Sequence, residues 1–446
     1  MSNRAHAAYV RQFMVGTAVE VARAVRVGSL DPVRVTEDAL GRIAAGDAAV
    51  GAFRRVRTAE AAAEARAVGE RPDLADLPLA GVPIAVKDVT AVAGEYVGWG
   101  SQAGSRQLAA ADGEIAARLR AAGAVMVGLT HVPELCHWPM TDTPDAITRN
   151  PVVPAYTAGG SSGGAAAAVA AGMVPVAHGS DALGSIRGPA AICGLVGFMP
   201  GRGVVAASDT HLFCGLYTHG VLATTAADAA LVLSVLAQRP ALAQLTEPGR
   251  LRVAVSTEVP GGGAAPDELT AVATQVAQLL GTAGHLVGEA TPSYGSGQLP
   301  ATVARWFAGP SEHAEAFDRN RLQRRTRTHA RIGRVVRRAG LVRERGRQEW
   351  TARAREFFTE HDVLVTPMLQ ALPAKAEMWH RKSWLANFPQ ALHSAFVTPW
   401  NLAGFPAMSV PAGVHPTGLP IGVQLVAPPG GESRLLALAA QLESLG

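Results

Sequence analysis

Residues 159–164 read Gly159-Gly160-Ser161-Ser162-Gly163-Gly164, and the seven that follow, 165–171, are alanine except for Val169. Four glycines around two serines give a backbone that can take unusual torsions and approach a ligand or a neighbouring chain closely. The small-residue stretch at 164–171 predicts a helix that follows the loop directly. A phosphate-binding P-loop requires a lysine after its last glycine, and Ala165 stands there instead; GxGxxG spacing is also absent. The loop alone is therefore compatible with a flexible turn or with a catalytic one.

The rest of the chain alternates. Helical apolar spacing runs over 14–30, ending near Gly28, and a second helix over 31–45 starts at Asp31 with Pro32 in its first turn. Residues 57–69, 111–122, 227–237, 266–281 and 432–444 also predict helices. Strands are expected at 79–88, 124–129, 174–178, 251–255, 285–290 and 362–367, the first two of them buried, with two more strands between turns over 401–413 and 419–427. This strand–helix–strand order predicts an α/β fold. Hydrophobic residues make up 48% of the 446 positions and aromatic residues 5%, so the core must be built from Ala, Val and Leu. No repeat and no linker divides the chain.

Two further features carry chemistry. The chain holds 40 Lys plus Arg, yet only three are lysines: Lys87, Lys375 and Lys382. A lysine inside the apolar segment 81–88, where arginine is this chain's default, points to a group that must lose its proton, because burial disfavours charged lysine while arginine stays protonated. The alternative is a strand-end lysine paired with Asp88. Next, Asp181-Ala182-Leu183-Gly184-Ser185-Ile186-Arg187 places a serine behind a glycine, between Asp and Arg. Backbone N–H groups ahead of such a serine can converge on one oxygen. It is not a GxSxG elbow, and alone it also reads as an ordinary loop serine. A serine hydroxyl needs a base; no histidine stands in a recognisable partnership with Ser185, and a neutral lysine acting through a second serine can serve.

Together these segments resemble the amidase signature family. The resemblance spans nearly the whole chain. It is carried by 159–194, by GVPIAVKD at 81–88, by Asn150-Pro151, by DVLVTP at 362–367, and by NLAGFPAMSVPAG and GLPIGVQLVAP near the end. It implies one α/β domain with a mixed, twisted central sheet covered by helices on both faces. Within it lie N-terminal helices over about 14–69, a catalytic core over about 79–235 and a variable substrate-side region over about 290–400. It also implies a triad of Ser185 as nucleophile, Ser161 as bridging serine on a cis peptide with Gly160, and Lys87 as base. The backbone N–H groups of Ala182, Leu183, Gly184 and Ser185 would form an oxyanion hole, braced by Asp181, Ser162 and Arg187. The implied activity is hydrolysis of a small carboxamide. An amide-forming or acyl-transferring enzyme and a partner-dependent amidotransferase subunit are the alternatives with the same triad.

The chain departs from the family pattern at several places. Leu183 stands where glycine is usual, His178 where a small residue is usual, and Gly188 where a larger apolar one is common. Leu129-Thr130-His131 replaces a Lys-Thr-Asn stretch, and 197–201 lacks the usual lysine. The substitutions point to a reshaped pocket around an intact triad.

The remaining features are quieter. Fourteen arginines fall in 319–355 against Glu344 and Glu349; the stretch predicts a solvated helix face broken near Gly340 and Gly346, and no nucleic-acid partner is expected. Trp379, Trp384, Trp400, Phe388 and Phe396 are expected in the core or the pocket wall. Cys136, Cys193 and Cys214 show no CxxC spacing, and the thirteen histidines show no HExxH pattern, so neither a metal nor a cofactor is expected. The first residues have no signal-peptide core and the longest apolar run, 163–177, is small-sided, so the expected protein is cytoplasmic, acts on a small-molecule amide away from any membrane, and leaves a homodimer open.

Overall fold

A computed structural model describes residues 16–445. Its centre is an eleven-stranded sheet: β1 Phe53–Val56, β2 Pro83–Lys87, β3 Val125–Thr130, β4 Val176–Asp181, β5 Val196–Met199, β6 Thr218–Ala223, β7 Arg252–Val255, β8 Leu286–Glu289, β9 Val363–Pro367, β10 Ala407–Val414 and β11 Pro420–Val426. The order across the sheet is β1-β3-β2-β4-β6-β5-β10-β11-β9-β7-β8. Strands β3, β2 and β4 are parallel, and so are β9, β7 and β8. The joins from β4 through β6, β5, β10 and β11 to β9 are antiparallel. The result is one mixed α/β sheet with helices over both faces.

Every residue of β2, β3 and β4 is buried, as expected for parallel strands covered on both sides. The main core is largely Ala, Val and Leu. A second cluster is rich in aromatic residues, where Trp350, Trp400, Phe358 and Phe405 pack with Phe213, Ala182 and the half-buried Leu183.

Most expected elements form, with shifted ends, and the differences have physical reasons. The first helix runs only over Ala18–Arg26, started by a capping box between Thr17 and Glu20; Met14 and Val15 lie outside the described residues. Strands β1, β5 and β6 escape a periodicity reading because they are short and carry Arg54, Arg55 or glycine. The helix Gly295–His313 escapes it because Pro300 and Pro310 lie inside. The arginine-rich stretch splits into helices Arg324–Arg338 and Glu344–Glu360. Gly340 falls in the break, but Gly346 does not break anything. It lies inside the second helix, where a side chain would stand 2.8 Å from the Gly297 carbonyl oxygen, so its role is close helix crossing. Residues 401–403 are not a turn but the end of the helix Thr398–Ala403, closed by Gly404 at φ 77°. Among the described residues no helix is long and apolar enough to cross a membrane.

The small-residue helix expected after the glycine loop is Gly163–Ala170, buried along its whole length. A Cβ on Gly164 would lie 2.5 Å from the Ala52 carbonyl oxygen and 2.6 Å from both the amide nitrogen and the carbonyl oxygen of His131. These backbone atoms cannot yield, so the first turn is pinned to the neighbouring loops. Gly164→Val should destabilise by at least the about 1–3 kcal/mol typical of an overpacked core. Chemical denaturation should show a lower midpoint; an unchanged midpoint would mean that the turn is not held there.

Candidate active site

Strands β2 and β4 are parallel neighbours, so the residues that end them, Lys87 and Asp181, meet at one edge of the sheet. In an open α/β sheet the carboxyl ends of parallel strands are where loops converge to form a crevice. Two loops arrive at this edge. One carries Ser161 and Ser162 and leads into the helix Gly163–Ala170; the other carries residues 182–186 and leads into the helix Arg187–Cys193. The Ser162 N–H donates to the Ser185 carbonyl at 3.1 Å and ties the loops together. The Gly160–Ser161 peptide is cis.

Lys87 is fully buried. Its Nζ donates to Ser161 Oγ at 2.9 Å, to Ser180 Oγ at 2.8 Å and to the Ser180 carbonyl at 3.1 Å. The strand-end ion pair with Asp88 does not form. Asp88 takes a bidentate bond from Arg54 instead, at 2.5 and 2.9 Å. Burial therefore acts on Lys87 without an adjoining carboxylate and pulls its pKa from 10.5 down to about 8, although Cys136 and Asp181 oppose the shift. Cys136, buried beside Ser161 and Lys87, has its thiol pushed up by burial.

The opposite arrangement holds Asp181. Burial alone would raise its pKa, but Arg187, Asn401 and the Ile186 N–H outweigh it and hold the carboxyl at about 2. Arg187 donates to Asp181 through Nε and Nη2, both at 3.1 Å, to Gln424 Oε1 at 2.6 Å, to Asn401 Oδ1 at 2.5 Å and to the Val397 carbonyl at 3.1 Å. Asp181 also accepts from the N–H groups of Gly184 at 2.6 Å and Ile186 at 3.1 Å, which folds the loop around its own carboxylate. Gly184 sits at φ 101°, and a side chain there would meet Val397 Cγ2 at 2.5 Å. Ser162 Oγ donates to the Ser180 carbonyl at 3.2 Å.

Ser185 is half-buried and faces a cavity of about 320 Å³ whose wall includes Gly160, Ala182 and Leu183. The Gly184 N–H, expected in the oxyanion hole, donates to Asp181 instead. All residues expected at the site thus gather within one edge of the sheet. Four further residues contribute that the sequence alone does not single out: Ser180, Cys136, Asn401 and Gln424. Ser180, Asn401 and Gln424 stand inside the segments that carry the family resemblance, so their position was a signal. Of the aromatic residues expected at the core or pocket wall, Phe388 lines the cavity, while Trp400 and Phe396 are buried.

His178, the unusual residue before Gly179, has its own partner chain. Its Nε2 lies 2.9 Å from His219 Nδ1, and His219 Nε2 lies 2.8 Å from Asp209. Burial, then the neighbouring His219 and Lys87, hold His178 far below the ordinary histidine value, hence neutral. Among the described residues no three His, Cys, Asp or Glu side chains gather to hold a metal ion.

Residues 34–436 match the family model for amidases. A Mycobacterium tuberculosis protein provisionally named amidase AmiB2 is 39% identical over 443 residues, covering 96% of this chain and 95% of its own length. The 6-aminohexanoate-cyclic-dimer hydrolase of Paenarthrobacter ureafaciens is 32% identical over 431 residues, covering 83% and 84%. A solved structure of 6-aminohexanoate cyclic dimer hydrolase in complex with substrate superposes with a TM-score of 0.83 at 28% identity, covering 96% of this chain and 97% of that one.

The Asp181–Arg187 pair generates a stability prediction. Arg187→Met strands a buried carboxylate, and removing one partner of a buried pair costs about 3–5 kcal/mol. The double variant Asp181→Asn/Arg187→Met removes both charges and should recover part of that loss. Urea denaturation of the three proteins checks the order; a double variant less stable than Arg187→Met would contradict it.

Proposed function

The chain belongs to the amidase signature family, and from that premise we propose that it is a serine amidase that hydrolyses a small carboxamide through an acyl-enzyme on Ser185. The observation that carries the reading is Lys87: buried, without an adjoining carboxylate, bonded to Ser161 Oγ at 2.9 Å, with a pKa of about 8. Burying an unpaired ammonium opposes folding, and a base that must shed its proton readily near neutral pH gives that burial a use.

In the proposed cycle, Ser185 Oγ attacks the amide carbon while its proton passes to Ser161 and the Ser161 proton to the free amine of Lys87. In the free enzyme Ser161 bonds Lys87, and the relay closes when the Ser185 hydroxyl turns from the cavity toward Ser161; such catalytic bonds often tighten only with substrate bound. The negative oxygen of the tetrahedral intermediate is held by the N–H groups of Ala182, Leu183 and Ser185. The C–N bond then breaks, and the proton returns from Lys87 through Ser161 to the departing amine. Water repeats the sequence on the ester: its proton goes to Lys87 by the same relay, its oxygen joins the acyl carbon, and Ser185 leaves with the proton restored. Asp181 and Arg187 orient the loop, and Ser162 braces it. The three side chains supply nucleophile, relay and base, so the reaction draws on no cofactor. The proposal extends to a cytoplasmic enzyme acting on a small molecule.

Ser185→Ala should abolish turnover. Lys87→Met and Lys87→Arg should each keep the fold and lower kcat by about 10²–10⁴-fold, the usual contribution of a general base, since arginine cannot give up its proton. For the wild type, the free amine is the active form, so kcat/KM should rise with pH through about 8 and level off above it. That apparent value belongs to the coupled Ser–Ser–Lys unit. A flat profile between pH 6 and 10, or a Lys87→Arg variant near wild-type rate, would overturn the assignment of the base.

A further inference from the structure

We infer that the cavity beside Ser185 accepts an uncharged, largely apolar substituent, so that the enzyme takes neutral alkyl or aryl amides and rejects amides bearing a carboxylate or an ammonium group, glutamine among them. This rests on the acyl-enzyme reading above and adds the substrate class to it.

The cavity of about 320 Å³ has an aromatic side, with Trp138, Trp306 and Phe388, and an aliphatic side that includes Leu183 and Leu299. Trp306 stands edge-on to Trp138, with ring centres 6.0 Å apart, and 5.9 Å from Phe388, so the wall is a packed aromatic surface. Among the described residues no Asp, Glu, Lys or Arg side chain lines it. Its polar members are neutral, and one of them, Thr302, is already bonded to Gln298 on the same helix.

Three buried arginines near the wall are paired. The Arg325 guanidinium, 5.8 Å from the Trp138 ring centre, is paired with the buried Asp142 at 2.8 Å. Arg187 is paired with Asp181, and Arg305 with Glu344. His137, in the wall, is kept neutral by burial and by the neighbouring His329 and Arg325. A substrate charge entering this space loses its water and meets no opposite charge in the lining, a cost that neutral groups do not bear. A free amino acid amide such as glutamine brings two charges with it. The cavity therefore disfavours the role of an amidotransferase subunit that draws ammonia from glutamine.

The test uses the full-length chain, a matched amide panel and a serine-directed fluorophosphonate. Phenylacetamide and hexanamide represent the neutral class; succinamate, 6-aminohexanamide and glutamine represent the charged one. Mass spectrometry should locate the fluorophosphonate on Ser185, and the neutral amides should slow that labelling while the charged ones do not. In turnover, the neutral amides should exceed the charged ones in kcat/KM by at least about 100-fold, the discrimination an unmatched site can supply. Val303, 38% exposed and at the rim of the same cavity, offers a converse: Val303→Arg should narrow the gap for succinamate but not for 6-aminohexanamide. Labelling on Ser185 with equal protection by neutral and charged amides overturns the substrate class and leaves the acyl-enzyme reading standing. Labelling on Ser185 with no protection by any neutral amide overturns it as well. Labelling on another serine, or none, removes the acyl-enzyme reading and the inference with it.

Discussion

Arg187 reaches Asp181, Asn401, Gln424 and the Val397 carbonyl from a position with no exposed surface, and Asp181 is equally enclosed. Four stretches of chain depend on this one buried pair: the end of β4, the loop that carries Ser185, the helix Thr398–Ala403 and strand β11. A buried charge pair rarely adds stability over a well-packed apolar substitute, but breaking it is costly. Its effect here is geometric. The carboxylate of Asp181 gathers the N–H groups of Gly184 and Ile186 and so fixes the curve of the backbone on either side of Ser185. The Gly184 torsion, open only to glycine without strain, completes the curve.

Lys87 shows the contrasting use of burial. Both cations lie under the same sheet edge, yet Arg187 has a carboxylate and Lys87 has only neutral oxygens from Ser161 and Ser180. The carboxylate nearest in sequence, Asp88, is withdrawn by Arg54 from β1. One arrangement keeps a charge permanently and holds a loop; the other lets a charge go and leaves a base. The same low-polarity surroundings produce both outcomes, and the difference lies in which partner the fold supplies.

Much of this was legible in the sequence through the family resemblance, whose strongest block is local. Ser161, Ser162, Asp181, Ser185 and Arg187 fall within one block, and the short loops between them leave little freedom. Lys87 stood out through composition, as one of three lysines in an arginine-rich chain. What remained hidden depends on distant pairing. Gln424 lies 237 residues from Arg187 and Asn401 lies 214 away, and no spacing rule connects them. The fate of Lys87 was ambiguous for the same reason. Whether Asp88 pairs with it depends on Arg54, which sits in a four-residue strand too short and too charged to read as one. Leu183 could be read from the sequence as reshaping the pocket; the fold shows it half-buried against the aromatic cluster and lining the cavity.

The central claim is that the fold holds Lys87 as a titrating base near neutral pH. Selective ¹⁵N labelling of the three lysines, Lys87, Lys375 and Lys382, allows each Nζ to be followed by NMR as the pH is raised, with Lys87→Met identifying the signal. The account predicts one lysine titrating at about 8 that disappears in the variant. A Lys87 signal that keeps its proton up to the ordinary value of 10.5 would contradict it.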